Sequence, residues 1–537
     1  MIGKHSVQSE SKVVLRKLLA GQLSLSTSQG ITPLAESKTL LGIIICLGIV
    51  LRVAQYLHNR SLWVDEALLA LNIVNRSFLD LLTPLDYHQG APLGFLIIEK
   101  SFVEMFGQNE YALRLFPLFC GIASLFLFSR VAKNFLDRKS FVLAMALFAI
   151  SYNLIYYTSE VKQYSSDVAI ALVLYAVMLN VDAKGLNAPR SIAFGTIGGI
   201  MVWLSHPATF VIAGISAALI ISFISQKDWR SALLTITGTV ICLCSFAILY
   251  FVSLSSLTQN KVLLDYWSLS FMPFPPGSLR DLKWFDNTFV ELFKNPLGFF
   301  PSSIAAAAFV VGWISMAAEK RQKCLLLTAP LLGTLLASGL HRYPFSGRLL
   351  LFAVPAALIF IVEGVMKLGR LIPHQPGLVS ASVAAFLLIP QVIYSSSILF
   401  KPHVFEDIKP AIEYMRKRWH GGDIVYLYGG AQPTFKFYAG RYNFTRADYI
   451  IGQGNRRDLM TYEDEIDALS TYPRLWILFS NIDKSNDIDD EALFREYLKN
   501  RRELADMFKT KGTSVYLYKG PTQEAEALTV GLIPREY

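Results

Sequence analysis

Two adjacent carboxylates, Asp65 and Glu66, stand in the run RSLWVDEALLA, just after the first long apolar stretch of the chain. Neighbouring carboxylates beside an apolar helix can act as a general base or hold a divalent cation. The plainer alternative is a solvated helix start, where Asp and Glu are favoured by capping and by the helix dipole. Further along, YYTSEVKQYSSDVA brings Glu160, Lys162, Tyr164 and Asp167 into a short turn between apolar runs. A surface ion pair between Glu160 and Lys162 would be worth little, and four polar groups are more than such a turn requires. A third run, HRYPFSGRLLLFAVP, gathers His341, Arg342 and Arg348 around Pro344 and Gly347. Arginine offers phosphate a planar fork of donors, so a cationic cluster at a lipid boundary suits a phosphate with a long apolar tail. His88, next to Tyr87 in DYHQGAPLGFLIIEK, Arg114 in YALRLFP, and His206 before Pro207 complete the candidates for a substrate pocket. For Arg114 the alternative is a side chain that snorkels to headgroups, and for the two histidines a structural role.

What must position these residues is a membrane-embedded helical bundle. The chain has 537 residues, 53% hydrophobic and only 17% charged, which excludes a soluble cytoplasmic enzyme. The last quarter differs: after residue 400 there are 20 basic and 21 acidic side chains, leaving 30 basic and 20 acidic on the first 400 residues. A positive excess confined to the apolar part points to membrane orientation and not to nucleic acid. Stretches long enough to span lie near 39–57, 112–131, 140–158, 166–182, 191–205, 207–225, 231–255, 301–318, 324–340, 348–366 and 378–399, about eleven spans. The segment 90–107 is as long, but Glu99, Lys100 and Glu104 would be costly in lipid, so it is placed on the membrane surface. With the N-terminus cytoplasmic, the inside loops then carry Arg130, Lys133, Arg138 and Lys139, followed by Lys184 and Arg190, Lys227 and Arg230, Lys320, Arg321 and Lys323, and Lys367 and Arg370. That alternation puts Asp65, Glu160, Arg348 and the tail on the same, outer face.

The fold expected is mainly α. Residues 1–38 form a cytoplasmic segment and 39–400 a transmembrane domain with outer loops at 58–111 and 256–300. Residues 401–537 form a small extracytoplasmic α/β domain. In that domain Phe405, Ile408, Ile412, Met415 and Trp419 recur at helical spacing, GGDIVYLYGG, RLWILFSN and TSVYLYKG read as strands, and Asp489 to Lys509 reads as a charged amphipathic run. All five cysteines fall in apolar runs and are expected to be packing residues, with no metal-finger spacing.

The order WVDEA, APLGF, YALRLFP, SEVKQYSSD and HRYPFSGRLLLFAVP resembles the integral-membrane glycosyltransferases of the GT-C fold, over about residues 39–400. The resemblance is to the branch of protein O-mannosyltransferases and lipid A aminoarabinose transferases (family 39-like). It implies a polyprenyl-phosphate sugar donor, inversion at the anomeric carbon, and catalysis on the extracytoplasmic face of a bacterial inner membrane. By motif, Asp65 matches the first-loop catalytic Asp and Glu66 its neighbour. Arg348, Arg342, Lys162 and His341 become candidates for the donor phosphate. Where the mannosyltransferases carry a Lys after Pro-Leu-Gly, this chain has Phe95.

The function expected is transfer of a hexosyl or pentosyl group from a lipid-linked donor to an envelope acceptor, which is a lipid, a glycan or a protein. Asp65 would be the base, and Glu66 would orient it or share a metal. The metal requirement stays open, because a monophosphate leaving group needs a cation less than a nucleotide does. The rival is a polytopic transporter or a flippase for lipid-linked glycans. That class usually places its ionisable groups near the bilayer midplane and in repeated halves, whereas here they gather at one face. The parity of the spans yields a topological prediction. A single cysteine at Ser485, in a background without the five native ones, reacts with an impermeant maleimide on intact cells, and protection until lysis would invert the assignment.

Overall fold

The computed structural model describes residues 32–370, 374–452, 465–469, 471–482, 489–499 and 501–521. The basic N-terminal segment assigned to the cytoplasm and Ser485 lie outside them. From Ile45 onward the chain forms one compact unit. Helices occupy all eleven of the expected apolar segments. Among the described residues seven are long and apolar enough to cross a membrane, or eight if the bent pair Arg138–Ile150 and Tyr152–Ser159 is one span. The helices Tyr164–Lys184, Ala188–Leu204 and Arg321–Gly339 fall short of that measure. The chain is an integral membrane protein with a mainly helical body and a small sheet near its C-terminus.

The bundle is packed tightest around the segment Gly347–Arg370, which begins as a 3-10 turn and continues as an α-helix from Val354. It crosses the helix Ser302–Glu319 where Gly312 and Gly364 face each other. A Cβ on Gly312 would lie 1.8 Å from the Phe360 carbonyl oxygen, and one on Gly364 1.7 Å from that of Ala308. Two glycines let the backbones touch, as small residues do between membrane helices.

The segment 90–107, placed on the membrane surface from its charges, forms a helix that packs one side into the protein. The helix Leu93–Phe106 is embedded among protein neighbours, with Glu99 and Lys100 buried. Lys100 donates to the Val74 carbonyl at 3.2 Å and pairs with Glu104 at 2.8 Å. Burial pushes the Glu99 carboxyl well above its usual range, towards its neutral form. Lys100 thus finds partners within the protein, whereas neither Glu99 oxygen accepts a hydrogen bond among the described residues, and Ile97, Met105 and Phe106 face outward. The cysteines divide as well: Cys120, Cys242 and Cys324 are buried, but Cys46 and Cys244 are exposed at the surface of the bundle.

The C-terminal region builds a five-stranded sheet in the order β2-β1-β3-β5-β4, with β1 at Ile424–Leu427, β2 at Tyr449–Ile451, β3 at Arg474–Ser480, β4 at Arg502–Thr510 and β5 at Thr513–Pro521. Strand β1 pairs in parallel with β2 and β3, and β5 runs antiparallel to β3 and β4. The run from Asp489 to Lys509 is not one amphipathic element. It divides into the helix Asp490–Lys499 and strand β4, because Lys511 and Gly512, the latter with a φ of +69°, close a two-residue hairpin onto β5. As an edge strand, β4 carries the charged residues Glu503, Asp506 and Lys509, which discourages further pairing.

Alternation along the strands gives the sheet two cores. Ile424, Tyr426, Leu475, Ile477, Tyr516 and Tyr518 face Phe494 and Leu498. The opposite residues, Val425, Leu427, Trp476, Leu478, Val515 and Leu517, pack with Ile408, Ile412 and Met415. That second core continues without a break into Leu62, Ala67, Leu69, Ala70, Ile73, Phe95 and Leu96 of the segment 58–111.

Candidate active site

The segment after the first apolar stretch forms a helix at Val64–Asn75, with Asp65 and Glu66 in its first turn. Adjacent residues on a helix point about 100° apart, so the two carboxylates enter different surroundings. Glu66 is completely buried. Its Oε1 accepts from Arg114 Nε at 2.9 Å and from the Val161 amide at 2.9 Å, and its Oε2 accepts from Arg114 Nη2 at 2.7 Å. Arg60 lies 3.6 Å from the same Oε2. Arg114 is buried, not extended to headgroups, and also donates to the carbonyls of Arg60 and Ser61 at 2.8 and 3.4 Å. The bidentate pair therefore ties together the loop, the helix Glu110–Ala132 and the turn at Val161.

Asp65 points the other way, into a cationic pair. Its Oδ1 lies 3.0 Å from Lys162 Nζ and its Oδ2 2.7 Å from Arg348 Nη2. Burial alone would raise its pKa, but Lys162 and then Arg348 outweigh that and hold the carboxyl below its usual value. Lys162 is buried and donates to Gln89 Oε1 at 2.8 Å. The Arg348 guanidinium lies 5.4 Å from the ring centres of both Trp63 and Tyr164, within cation–π range. Sequence-distant candidates from three runs, Asp65, Lys162, Tyr164 and Arg348, thus meet at one place.

Glu160 stands just behind them. Its Oε1 accepts from Trp63 Nε1 at 2.8 Å and from the Tyr156 hydroxyl at 3.2 Å, while its Oε2 accepts no hydrogen bond among the described residues. Burial, and then the neighbouring Glu66, push it up to about 7 against the pull of Arg60. It does not pair with Lys162, so the surface ion pair weighed for these two residues does not form.

The remaining candidates are not gathered here. His341 and Arg342 are exposed, and His341 packs against Phe271 with ring centres 5.0 Å apart. His88 is exposed, has a left-handed backbone at φ 53°, and bonds to Asn260 at 3.2 Å. Asp167 is buried one turn beyond Tyr164, and His206 precedes the helix Ala208–Ser225. Among the described residues no group of three or more His, Cys, Asp or Glu is arranged for a metal ion, and both oxygens of Glu66 are already engaged.

Several participants escaped the sequence reading. Arg60 and Trp63 lie in the same RSLWVDE run as Asp65 and could have been marked by proximity. Gln89 and Tyr156 carry neither charge nor pattern, and only the folded chain brings them in.

No family model and no curated protein sequence matches this chain. Solved structures do. It is similar to ArnT from Cupriavidus metallidurans bound to undecaprenyl phosphate, at 12% identity and a TM-score of 0.51 over 89% of this chain and 98% of that one. It is likewise similar to the oligosaccharyltransferase AglB from Archaeoglobus fulgidus in complex with an inhibitory peptide and a dolichol-phosphate, at 11% identity and a TM-score of 0.51 over 94% and 75%. Both are GT-C fold glycosyltransferases, and the GT-C fold is the fold of this chain.

The site predicts its own energetics. Arg114→Ala leaves Glu66 buried opposite only the more distant Arg60 and should destabilise the protein by about 3 to 5 kcal/mol. Replacing both partners, Glu66→Leu with Arg114→Met, should cost much less than the two single changes together. Thermal unfolding in detergent measures both, and additive losses would mean that the pair is not a unit.

Proposed function

We propose that this protein transfers a sugar from a polyprenyl-phosphate donor to an acceptor hydroxyl or amine of the cell envelope, with Asp65 as general base. The observation that carries the reading is the convergence of Asp65, Lys162 and Arg348, one carboxylate held between two cations, in a GT-C fold. Eleven crossings, the number required by the alternation of basic loops, would set this site at the extracytoplasmic face of a bacterial inner membrane. The similar structures, with undecaprenyl phosphate bound in one and dolichol-phosphate in the other, favour a lipid-phosphate donor.

In the reaction proposed, the acceptor oxygen or nitrogen attacks the anomeric carbon and its proton passes to the Asp65 carboxylate. The bond from that carbon to the phosphate oxygen breaks, and its electron pair leaves with the polyprenyl phosphate, so the configuration inverts. Lys162 and Arg348 stabilise the charge that develops on the departing phosphate. Glu66 does not touch the reacting atoms in this scheme: clamped by Arg114, it sets the direction in which the first turn presents Asp65. A divalent cation is not required by any of these steps.

The two cations have two suitors, Asp65 in the empty site and the donor phosphate in the loaded one. A phosphate that takes Lys162 and Arg348 releases Asp65 from both and restores its basicity at the moment it is needed. Depressed in the free enzyme, Asp65 ionises at a lower pH there than in the donor complex. Activity is lost as pH falls through that pKa, so the acid limb of kcat/KM, which reports the free enzyme, should lie at lower pH than the acid limb of kcat. Coincident limbs would mean that the donor leaves the Asp65 ion pairs in place.

Asp65→Asn tests the assignment itself. Transfer from a labelled lipid-linked sugar by the purified variant should fall by about 10²- to 10⁴-fold, with folding and donor binding retained. Turnover at the wild-type level would remove Asp65 from the chemistry.

A further inference from the structure

We infer that the C-terminal region is part of the catalytic apparatus, with Tyr438, Lys409 and Arg441 acting as positioning residues for the loop that presents Asp65. The inference rests on Asp65 being the base.

The segment Asn59–Trp63, which leads directly into Asp65, is held from the C-terminal side at Asn59, Ser61, Leu62 and Trp63. The Lys409 ammonium donates to the Asn59 carbonyl. Ser61 Oγ donates to Asp407 Oδ1 at 2.5 Å and accepts from the Lys409 amide at 3.2 Å. The Leu62 amide donates to the Tyr438 hydroxyl at 2.9 Å. Trp63, which lies beneath the Arg348 guanidinium, packs on Phe405 with ring centres 5.0 Å apart.

These contacts converge on Glu110, a buried carboxylate at the first position of the helix Glu110–Ala132. The Tyr438 hydroxyl donates to Glu110 Oε1 at 3.0 Å, Lys409 Nζ donates to the same oxygen at 2.9 Å, and Arg441 Nη1 donates to Oε2 at 2.8 Å. Every charged partner of this carboxylate among the described residues comes from beyond residue 400. One helical turn later the same helix carries Arg114, which grips Glu66 and the Arg60 and Ser61 carbonyls from the other side.

The loop is thus clamped between Arg114 and the C-terminal region. Both the polar contacts and the shared apolar core argue against a separate module on a tether. A free recognition domain would keep Lys409, Arg441 and Tyr438 available for a ligand. Here they are consumed by one carboxylate and by backbone groups of the loop. A buried carboxylate is costly without partners, so Glu110 binds the region in place as firmly as the region binds the loop.

The test uses the full chain in lipid nanodiscs, with Tyr438→Phe as the smallest cut in the clamp, Arg441→Ala as a second, and Arg441→Lys as the conservative control. Amide hydrogen exchange at residues 59–66 should accelerate about tenfold in the first two variants, the loss expected for one hydrogen bond, while strand β3 stays as protected as in the wild type. Sugar transfer should show kcat lowered about 10- to 100-fold at unchanged donor KM, since a shift of the base by 1 Å is enough for such a loss, and Arg441→Lys should stay near wild type. Unchanged exchange at 59–66, unchanged kcat with the loop loosened, or β3 losing protection in parallel would each overturn the inference. A wild-type protein that transfers no lipid-linked sugar would count against the proposed function alone, and exchange at 59–66 would still decide whether the region holds the loop.

Discussion

The organisation of this protein depends on one buried ion pair, Glu66 with Arg114. Two charges that neither water nor lipid reaches are stable only in good geometry with every remaining lone pair and proton engaged. That requirement is met by the bidentate contact, the Val161 amide, and the Arg60 and Ser61 carbonyls. Because those partners come from the loop after the first apolar segment, from the helix Glu110–Ala132 and from the turn after the third apolar segment, the pair cannot form unless all three are in register. Once it forms, the rotation of the helix Val64–Asn75 is set, and Asp65 has one direction left to face.

In that direction lie Lys162 and Arg348, each fixed by a different part of the fold. Lys162 is buried in the turn beside Val161, and Arg348 lies over the rings of Trp63 and Tyr164. The result is a compact arrangement in which the charge of Asp65 is balanced before any substrate arrives. An anionic ligand entering this site need not pay to desolvate two bare cations, because it exchanges one carboxylate for another set of anionic oxygens. The same exchange explains how a carboxylate held below its usual pKa could still serve as a base.

Much of this was legible in the residues and much was not. The apolar segments and their basic cytoplasmic-type flanks announced the bundle, and the strands around Ile424, Trp476 and Tyr516 were visible as β-branched and aromatic runs. The candidate residues were visible by type, being charges where an apolar chain should have few. What could not be read was pairing. The run WVDEA carries no sign that its two carboxylates part company, since that follows from helical rotation and from Arg114 almost fifty residues away. Arg342 and Arg348 look equivalent in HRYPFSGRLLLFAVP, yet the bend at Gly347 turns one outward and the other inward. Nothing in the sequence marks the Val74 carbonyl as the partner of Lys100. The role of the tail was the least legible of all, because Glu110, Tyr438 and Lys409 are unremarkable residues until the fold brings them together.

The central claim is that the cations around Asp65 form the seat of a lipid-linked phosphate. It is tested most directly by a structure of the protein in lipid with a polyprenyl phosphate bound. The account predicts phosphate oxygens within about 3 Å of Lys162 Nζ and of the Arg348 guanidinium, Asp65 released from both, and the Glu66 to Arg114 contact unchanged. A phosphate seated elsewhere, with Asp65 still paired to Lys162 and Arg348, would contradict it.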